Sequence, residues 1–205
     1  MDVLGAVRDI IVAVAAIVTA YAAWRGVSEW QKQLRGQTEY QTARLVLHTT
    51  YKVRSAISMV RSPFMSAGEM TSGVHELDPE AKDLPPKSDE AQSRRLAAGY
   101  GKRWQPLADA MEELATARYE AEAIWGPAAA VCLNDVKGCA VELGSSIQMY
   151  LLRERDGFYP PVSDDFDKKV QAVVFGGGGE ADDEFSVKIR QAFESVEAFY
   201  RPKLK

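Results

Sequence analysis

Four consecutive glycines, Gly176 to Gly179, are the feature of this sequence that most resembles a phosphate-binding loop. In such a loop, backbone amides and a helix N-terminus hold the anion. No Gly-Lys-Ser/Thr triplet follows, and the glycines lead instead into the acidic run Glu180 to Glu184. Those carboxylates would repel phosphate and would stabilise the start of a helix. We therefore interpret the glycine run as a linker followed by a helix cap.

Acidic clusters are the second candidate for chemistry, because convergent carboxylates bind calcium or magnesium. The clusters at Asp164 to Asp167 and at Glu180 to Glu184 lack the alternating spacing and final Glu of an EF-hand loop. The Glu-x-x-His pattern of di-iron bundles does not occur in the sequence. We expect both clusters to serve as first-turn acids of helices, and we predict no metal site and no cofactor.

The chain has two histidines, His48 and His75, and two cysteines, Cys132 and Cys139. A zinc site would need all four to converge, and a Cys–His nucleophilic pair would need a proximity that spacing does not provide. The cysteines are seven residues apart, which is about 10 Å along a helix and too far for an intrahelical disulfide. They fit small apolar thiols of a reducing compartment. We assign no catalytic residue and expect a non-enzymatic protein.

One segment has basic residues interspersed with aromatic residues, a pattern that is also found on nucleic-acid-binding surfaces. They are Arg94, Arg95, Tyr100, Lys102, Arg103 and Trp104. The chain as a whole carries a net charge of −4 and has a pI near 5.4. Because an acidic protein repels the phosphate backbone, we predict a solvated helix face or a contact with anionic lipid, and no nucleic-acid partner.

The run Ile10 to Trp24 has fifteen residues without a charge and is apolar on every face. Extended to Val3–Arg25, a helix would be about 34 Å long and would span a hydrocarbon core of about 30 Å. We predict a transmembrane helix. Two alternatives are a core helix of a soluble protein and a secretory signal cleaved at Ala20-Tyr21-Ala22, although the acids Asp2 and Asp9 make a poor signal N-region.

Basic residues are concentrated on the C-terminal side of this run, where Arg25, Lys32, Arg35 and Arg44 follow within about twenty residues. We therefore expect a single-pass protein of the cell (inner) membrane, with its N-terminus outside and its C-terminal domain in the cytoplasm. Residues 1–64 carry a net charge of +4 and residues 65–205 a net charge of −8. Anionic headgroups would attract the basic part. The predicted membrane-interface residues are Arg8, Tyr21, Trp24, Arg25, Trp30, Lys32, Leu34 and Arg35.

Small residues lie on one side of the predicted span, where they would let two helix backbones approach each other. They are Ala15, Ala16, Thr19, Ala20, Ala22, Ala23 and Gly26. This stripe predicts a homo-oligomer, with the alternative that alanine merely fills the span.

The domain limits follow from glycines and capping boxes. Gly26 and Gly36 are each followed by an S/T-x-x-Q box, which divides the chain into a transmembrane anchor (1–26), an interfacial helix (27–37) and a cytoplasmic helical domain (38–205). A continuous helix through both glycines is the alternative. A flexible loop is expected at about 63–88, because residues 65–88 contain three prolines and many polar residues.

The cytoplasmic domain shows helical periodicity throughout. One stripe comprises Val46, Thr50, Val53, Ile57, Val60 and Phe64, and similar patterns predict helices at 89–125, interrupted near 99–106, at 127–157, at 163–175 and at 182–200. No β-type alternation is present. The predicted fold is all-α: one N-terminal transmembrane helix and a cytoplasmic antiparallel bundle of about four to five helices.

These observations predict a membrane-anchored interaction, sensing or scaffold module with an unidentified cytoplasmic protein partner. The alternative is a subunit of an oligomeric membrane pore or a membrane-disrupting effector, in which the spans line a conduit.

Overall fold

The structure, a computed structural model, describes residues 3–85, 87–156, 164–176 and 183–204, and all regular secondary structure in these ranges is helical. The α-helices are α1 (Val3–Val60), α2 (Ala67–Leu77), α3 (Asp89–Trp125), α4 (Pro127–Asp156), α5 (Asp164–Phe175) and α6 (Glu184–Tyr200). Short 3₁₀ turns cover Pro79–Lys82 and Arg201–Leu204. The predicted all-α class is confirmed for these ranges.

The chain divides into two compact units, Met1–Gln41 and Thr42–Lys205. In the first unit, α1 continues through Gly26 and Gly36, so the alternative of a continuous helix is the one observed and no separate helix forms at 27–37. The two predicted capping residues act within the helix instead. The hydroxyl of Ser28 donates to the Arg25 carbonyl, and that of Thr38 donates to the Leu34 carbonyl. Both hydroxyls therefore make the back-bonds of helix-interior residues rather than cap a new helix.

The second unit has one main hydrophobic core, to which α1 contributes the stripe that the sequence predicted. Val46, Thr50, Val53, Ile57 and Val60 are all buried. The sequence pattern also places Phe64 in this stripe. That prediction is wrong, because the side chain of Phe64 is 87% exposed. It lies beyond the end of α1 and after Pro63, where the helical repeat no longer applies.

Helices α3 to α6 complete this core. Among their side chains, Leu107, Leu143, Val174, Phe193 and Tyr200 are less than 3% exposed. The hydroxyl of Tyr200 donates to the Ala129 carbonyl at 2.8 Å, which satisfies a polar group inside the core.

The predicted flexible loop at about 63–88 contains a helix, α2, and a 3₁₀ turn, and this corrects the prediction. Ser66 caps α2 through a capping box, since its hydroxyl accepts from the Glu69 amide and the Glu69 carboxylate accepts from the Ser66 amide. A second small core forms from Val74, Ala81 and Ala98. The segment thus buries apolar surface of its own, which the proline count alone does not reveal.

The predicted interruption of α3 near 99–106 is also wrong, because the helix is continuous from Asp89 to Trp125 with Pro106 inside it. The glycines in this region are contact sites. A Cβ on Gly101 would meet Leu77 Cδ1 at 2.9 Å, and one on Gly99 would collide with the sulfur of Met65. They allow the preceding segment to pack closely on α3 instead of ending the helix.

The later helix limits agree with the sequence. Gly126, with a φ of 74°, separates α3 from α4, and α4 begins at Pro127. Asp183 caps α6 by accepting from the Ser186 amide. The predicted helix end at residue 157, the predicted helix start at residue 163 and residues 177–182 lie outside the described residues.

Candidate functional site

The most unusual feature of the described chain is an unburied apolar part of α1, which we call the apolar segment (residues 11–34). It includes a window of 18 residues with a mean hydropathy of 1.6, none of which is buried. Its large exposed side chains are Ile11, Val12, Val14, Ile17, Val18, Tyr21, Trp24, Val27, Trp30 and Leu34. By length and composition it is able to cross a membrane, and a signal sequence would share both properties.

The backbone groups of the apolar segment and the hydroxyl of Thr19 are satisfied within the helix. Its backbone amides and carbonyls bond along α1, as a segment in hydrocarbon requires. The hydroxyl of Thr19 donates to the Ala15 carbonyl at 2.8 Å. This side chain therefore carries no unsatisfied donor into an apolar environment.

The predicted packing residues all lie on this segment and all are exposed. The set is Ala15, Ala16, Thr19, Ala20, Ala22, Ala23 and Gly26. A Cβ placed on Gly26 would meet nothing within 4 Å. The stripe is therefore open for close approach of another helix, and self-association through it stays a prediction.

The predicted interface residues are exposed from Tyr21 onward, and the side chain of Arg8 lies outside those described. The rings of Tyr21 and Trp24 lie side by side with centroids 6.5 Å apart. The ammonium of Lys32 is 3.5 Å from a Glu29 carboxylate oxygen. Aromatic rings followed by cations are typical of a membrane–water boundary.

The histidines and cysteines are not brought together as a catalytic or metal site. His48 and His75 are exposed, and His75 Nε2 lies 2.9 Å from Lys82 Nζ. Cys132 and Cys139 are buried, and burial raises the pKa of both thiols, which disfavours the reactive thiolate. Within the described ranges, no three His, Cys, Asp or Glu residues are grouped to hold a metal ion.

The acidic clusters have structural partners where they are described. Asp183 caps α6 and forms an ion pair with Arg61 at 3.2 Å. Asp167 pairs with Arg153, and Asp165 lies 3.8 Å from the ammonium of Lys169. These contacts agree with the interpretation of the acids as helix-start residues.

The basic face of α3 is bound by carboxylates of the same chain. Arg94 makes a bidentate pair with Asp78, with distances of 2.7 and 2.6 Å. Lys102 bonds Glu76 at 2.7 Å. A buried Arg103 completes the set, so these cations contribute to the packing of α2 on α3 rather than to an open basic surface.

Sequence reasoning missed the role of two arginines, Arg61 and Arg103, which hold segments distant in sequence. Arg61 donates to the carbonyls of Ala172 and Val173 at the end of α5 and lies 5.0 Å from the ring centroid of Phe185. No local pattern identifies such residues. The one available sign was the position of Arg61 directly before Ser62-Pro63, where α1 ends.

Arg103 ties the end of α1 to the start of α2. Its guanidinium donates to the Ser62 carbonyl at 2.7 Å and to the Phe64 carbonyl, and it pairs with Glu69 at 3.1 Å. The Arg103 contact and the Ser66 amide lower the pKa of Glu69 to about 2. Both arginine clusters therefore join segments that are distant in the sequence.

Over its described ranges, the chain is thus an all-helical protein with one helix long and apolar enough to cross a membrane. Comparison with known proteins finds no matching family model, no matching curated protein and no matching solved structure.

Proposed function

We propose that the chain is a single-span membrane protein whose helical domain is a non-enzymatic interaction, sensing or scaffold module. The anchor comprises residues 1–26, the basic juxtamembrane part of α1 follows at 27–37, and the domain is an antiparallel bundle in the cytoplasm with the N-terminus outside. The observation that carries this proposal is that none of the 18 residues of the most apolar window of the apolar segment is buried.

The free-energy argument rests on the side chains of that segment. Burial of a large apolar side chain contributes about 1.5–3 kcal/mol, so leaving ten of them in water is strongly unfavourable. A core helix of a soluble protein would be mostly buried, whereas this window is not. A bilayer supplies the missing apolar environment for the side chains up to Trp24, and its headgroup region accommodates the aromatic and basic side chains that follow.

The charge distribution supports the orientation and the lipid partner. Arg25, Lys32 and Arg35 are exposed directly after the aromatic pair Tyr21 and Trp24. Each cation near an anionic leaflet contributes about 1 kcal/mol. The acidic domain would then be held by its basic flank and remain available for a cytoplasmic protein partner.

Alkaline-carbonate extraction of membranes tests the span with matched variants. Val14→Arg with Val18→Arg places two charges in the apolar segment at residues that are 55% and 60% exposed. Val131→Arg with Val141→Arg places the same charges in α4 at residues that are 61% and 59% exposed. We expect only the first pair to release the chain from the membrane pellet. Recovery of the unmodified chain in the soluble fraction would refute the proposal.

Intact mass and thiol labelling test the signal alternative and the orientation. Loss of residues 1–22 from the mature chain would show cleavage instead of a span. Because Cys132 and Cys139 are buried, a cysteine introduced by Ala123→Cys at an exposed position of α3 can be labelled selectively. We expect a membrane-impermeant maleimide to label it only after permeabilisation, and to label Asp2→Cys in intact cells. The reverse pattern would invert the topology.

Self-association is tested by cross-linking in membranes. Ala20→Leu and Ala23→Leu add bulk to the small-residue stripe, and Ile17→Leu changes the opposite side of the helix without adding volume. We expect the first two variants alone to lose the cross-linked oligomer. Dye leakage from liposomes that Ala20→Leu abolishes would instead identify a pore.

A further inference from the structure

One side of α4 carries a row of residues that are neither charged nor buried, and we call this row the outer face of α4. Its members occupy every third or fourth position, and all of them are exposed: Val131, Asn134, Gly138, Val141, Ser145, Gln148 and Leu152. Of the whole chain, 26% of the residues are charged. A helix face that meets only water normally carries such charges, so this face differs from a solvated one.

The residue types on the outer face are poorly suited to a helix surface in water. Val131 and Val141 are 61% and 59% exposed, and β-branched residues lower helix propensity. Gly138 also weakens the helix, and a Cβ placed on it would meet nothing within 4 Å. Its φ is not positive, so the backbone does not require glycine either. The missing side chain leaves room for another molecule to approach α4 closely.

The spacing of the outer face matches a contact between two helices. Four of its residues repeat every seven positions, and the other three each follow one of them by three positions: Val131, Gly138, Ser145 and Leu152, then Asn134, Val141 and Gln148. These are the a and d positions at which two helices pack along a common seam. A parallel second copy of α4 would also place an amide opposite Asn134 and another opposite Gln148, and each pair of amides can hydrogen-bond.

The charges that flank the outer face indicate which molecule covers it. Lys137 lies on one flank, whereas Asp135 and Glu142 lie on the other. The ammonium of Lys137 forms no ion pair within the described residues. Glu142 contacts Lys188 through Oε2, and a carboxylate can accept further donors through its second oxygen.

These flanks are complementary only when two copies of α4 are parallel. In a parallel pair, the Lys137 flank of each copy meets the acidic flank of the other, which places Lys137 five positions before Glu142 of the second copy. In an antiparallel pair, equal flanks meet, and the carboxylates of Asp135 and Glu142 would face the same carboxylates. The charge pattern therefore selects both the occupant and its orientation.

We propose that the outer face of α4 binds the same face of a second copy of this chain, with the two α4 helices parallel. Gly138 and Ser145 let the helices approach closely, and Val141 packs against its counterpart. Two symmetry-related ion pairs between Lys137 and Glu142 flank the contact.

The size of this contact predicts that it depends on a membrane tether. A face of about 21 residues is about 32 Å long, and a helix about 10 Å wide then covers about 300 Å² per copy. A standard interface covers about 800 Å² per partner, so the contact alone is weak. Two chains anchored side by side have a much higher effective concentration, up to the millimolar range. In this respect the inference rests on the proposed single span.

Cysteine cross-linking of the full chain, in the cells that express it, tests the contact. A short, membrane-permeant bis-maleimide is added to chains with Val131→Cys or Val141→Cys, while the native Cys132 and Cys139 are buried. Equal positions face each other in a parallel pair. We therefore expect both variants to form cross-linked dimers about tenfold more than Tyr119→Cys, at a residue of α3 that is 67% exposed.

The same two cysteines also test the orientation. Val131 and Val141 are ten residues apart, which is about 15 Å along the helix. The two-fold axis of an antiparallel pair could lie near only one of them. Cross-linking of one variant without the other would therefore overturn the proposed parallel contact.

Further changes in the Val141→Cys chain test the seam and its ion pairs. Gly138→Glu places two carboxylates opposite each other and should lower the cross-linked fraction about tenfold, whereas Ala115→Glu, at an exposed position of α3, should leave it unchanged. Lys137→Glu should lower the fraction about fivefold. Addition of Glu142→Lys to Lys137→Glu should restore it, because the pairs form again with their signs exchanged.

Thermal unfolding by circular dichroism checks that each variant remains folded, which is expected of Gly138→Glu because a Cβ there meets nothing. Cross-linking of both valine variants no stronger than that of Tyr119→Cys would overturn the proposal, and so would insensitivity to Gly138→Glu. Alkaline-carbonate extraction reports on the span separately. A released chain that still cross-links at both positions would refute the span alone, and a pelleted chain that does not cross-link would refute the α4 contact alone.

Discussion

Arg103 shows how one buried cation organises a connection between helices. Its side chain is only 5% exposed, and its donors satisfy two carbonyls beyond the end of α1 while its charge pairs with Glu69. Removal of the guanidinium leaves the Ser62 and Phe64 carbonyls without these donors, whereas Glu69, whose side chain is 38% exposed, keeps its contact with water. The connection from α1 to α2 therefore depends on this one residue.

Arg103→Met should lower the free energy of unfolding by about 1–3 kcal/mol, measured by urea unfolding of the full chain in mild detergent, because two carbonyls lose their donors. The neighbouring Lys102 is the matched control, because its side chain is 35% exposed and its pair with Glu76 lies at the surface. Lys102→Met should change the same free energy by no more than about 1 kcal/mol. Equal losses in the two variants would contradict the role assigned to Arg103.

Glu69 makes the same connection sensitive to acid. Its pKa is about 2 in the folded chain, below the ordinary value of 4.5, chiefly because its carboxylate accepts from Arg103 and Ser66. A lowered folded-state pKa stabilises the fold above the unfolded-state pKa, and this stabilisation is lost as the pH falls through the folded-state value. The relevant window is therefore from about pH 4.5 down to about pH 2.

Glu69→Gln should have a lower Tm than the unmodified chain at pH 7, and the difference should shrink as the pH is lowered from 4.5 to 2. Thermal unfolding followed by circular dichroism measures both chains across this range. Asp78, whose pKa is also lowered, by Arg94, is present in both and cancels in the comparison. A Tm difference that stays constant between pH 4.5 and pH 2 would show that the contact with Arg103 does not lower the pKa of Glu69.

At the scale of elements, glycine has opposite roles at two positions of α2. A Cβ on Gly73 would meet the backbone oxygen of Ala98 at 2.6 Å, so α2 packs on α3 without space for a methyl group. A Cβ on Gly68 would meet only the Ser66 hydroxyl, at 3.8 Å. The first glycine is needed for packing, and the second only reduces helix propensity.

Gly73→Ala should therefore lower the free energy of unfolding by about 1–3 kcal/mol, because the colliding atoms belong to the backbone and cannot rotate away. Gly68→Ala should raise it by about 0.5–1 kcal/mol through helix propensity. Urea unfolding of the two variants provides the comparison. Stabilisation by Gly73→Ala would mean that α2 does not approach α3 this closely.

The same elements show what the sequence could predict. The buried stripe from Val46 to Val60 was predicted because helical periodicity is a local property. The helix α2 was missed because its main sign is one capping box, Ser66 to Glu69, among prolines and polar residues. The predicted interruption of α3 was wrong because glycine and proline usually weaken or end a helix. In this protein, Gly99 and Gly101 lie where Met65 and Leu77 pack against α3, and the helix continues through Pro106.

The candidate site was also predictable only in part. The hydropathy of the apolar segment follows from its composition, so the sequence alone indicates a possible span with an aromatic and basic flank. The arginine clusters were not, because the partners of Arg61 and Arg103 lie between 34 and 125 residues away along the chain. A groove of about 720 Å³ between α2, α3 and α4 was equally unpredictable, since helices that are separate in the sequence form it.

At the scale of the whole molecule, the two units differ in what they bury. In the first, residues 11–41 are almost entirely exposed, and no buried side chain is described. In the second, the hydrophobic core starts with Ala43 on α1 and ends with Leu204, packed at its edge. The stabilising burial that the structure describes is thus confined to residues 42–204.

Deletion of residues 1–41 should therefore leave a folded helical domain that needs no detergent. We expect its Tm, followed by circular dichroism, to match the unfolding transition of the full chain in detergent to within about 4 °C, since roughly 1 kcal/mol shifts the Tm of a domain this size by about 2–4 °C. Deletion of residues 1–50 is the control, because it also removes the buried Val46 and Thr50, each of which packs in the core. It should unfold at a clearly lower temperature or aggregate. If the shorter deletion already unfolds the domain, residues before Thr42 contribute to its stability, and the exposure of the first unit would not describe the chain in solution.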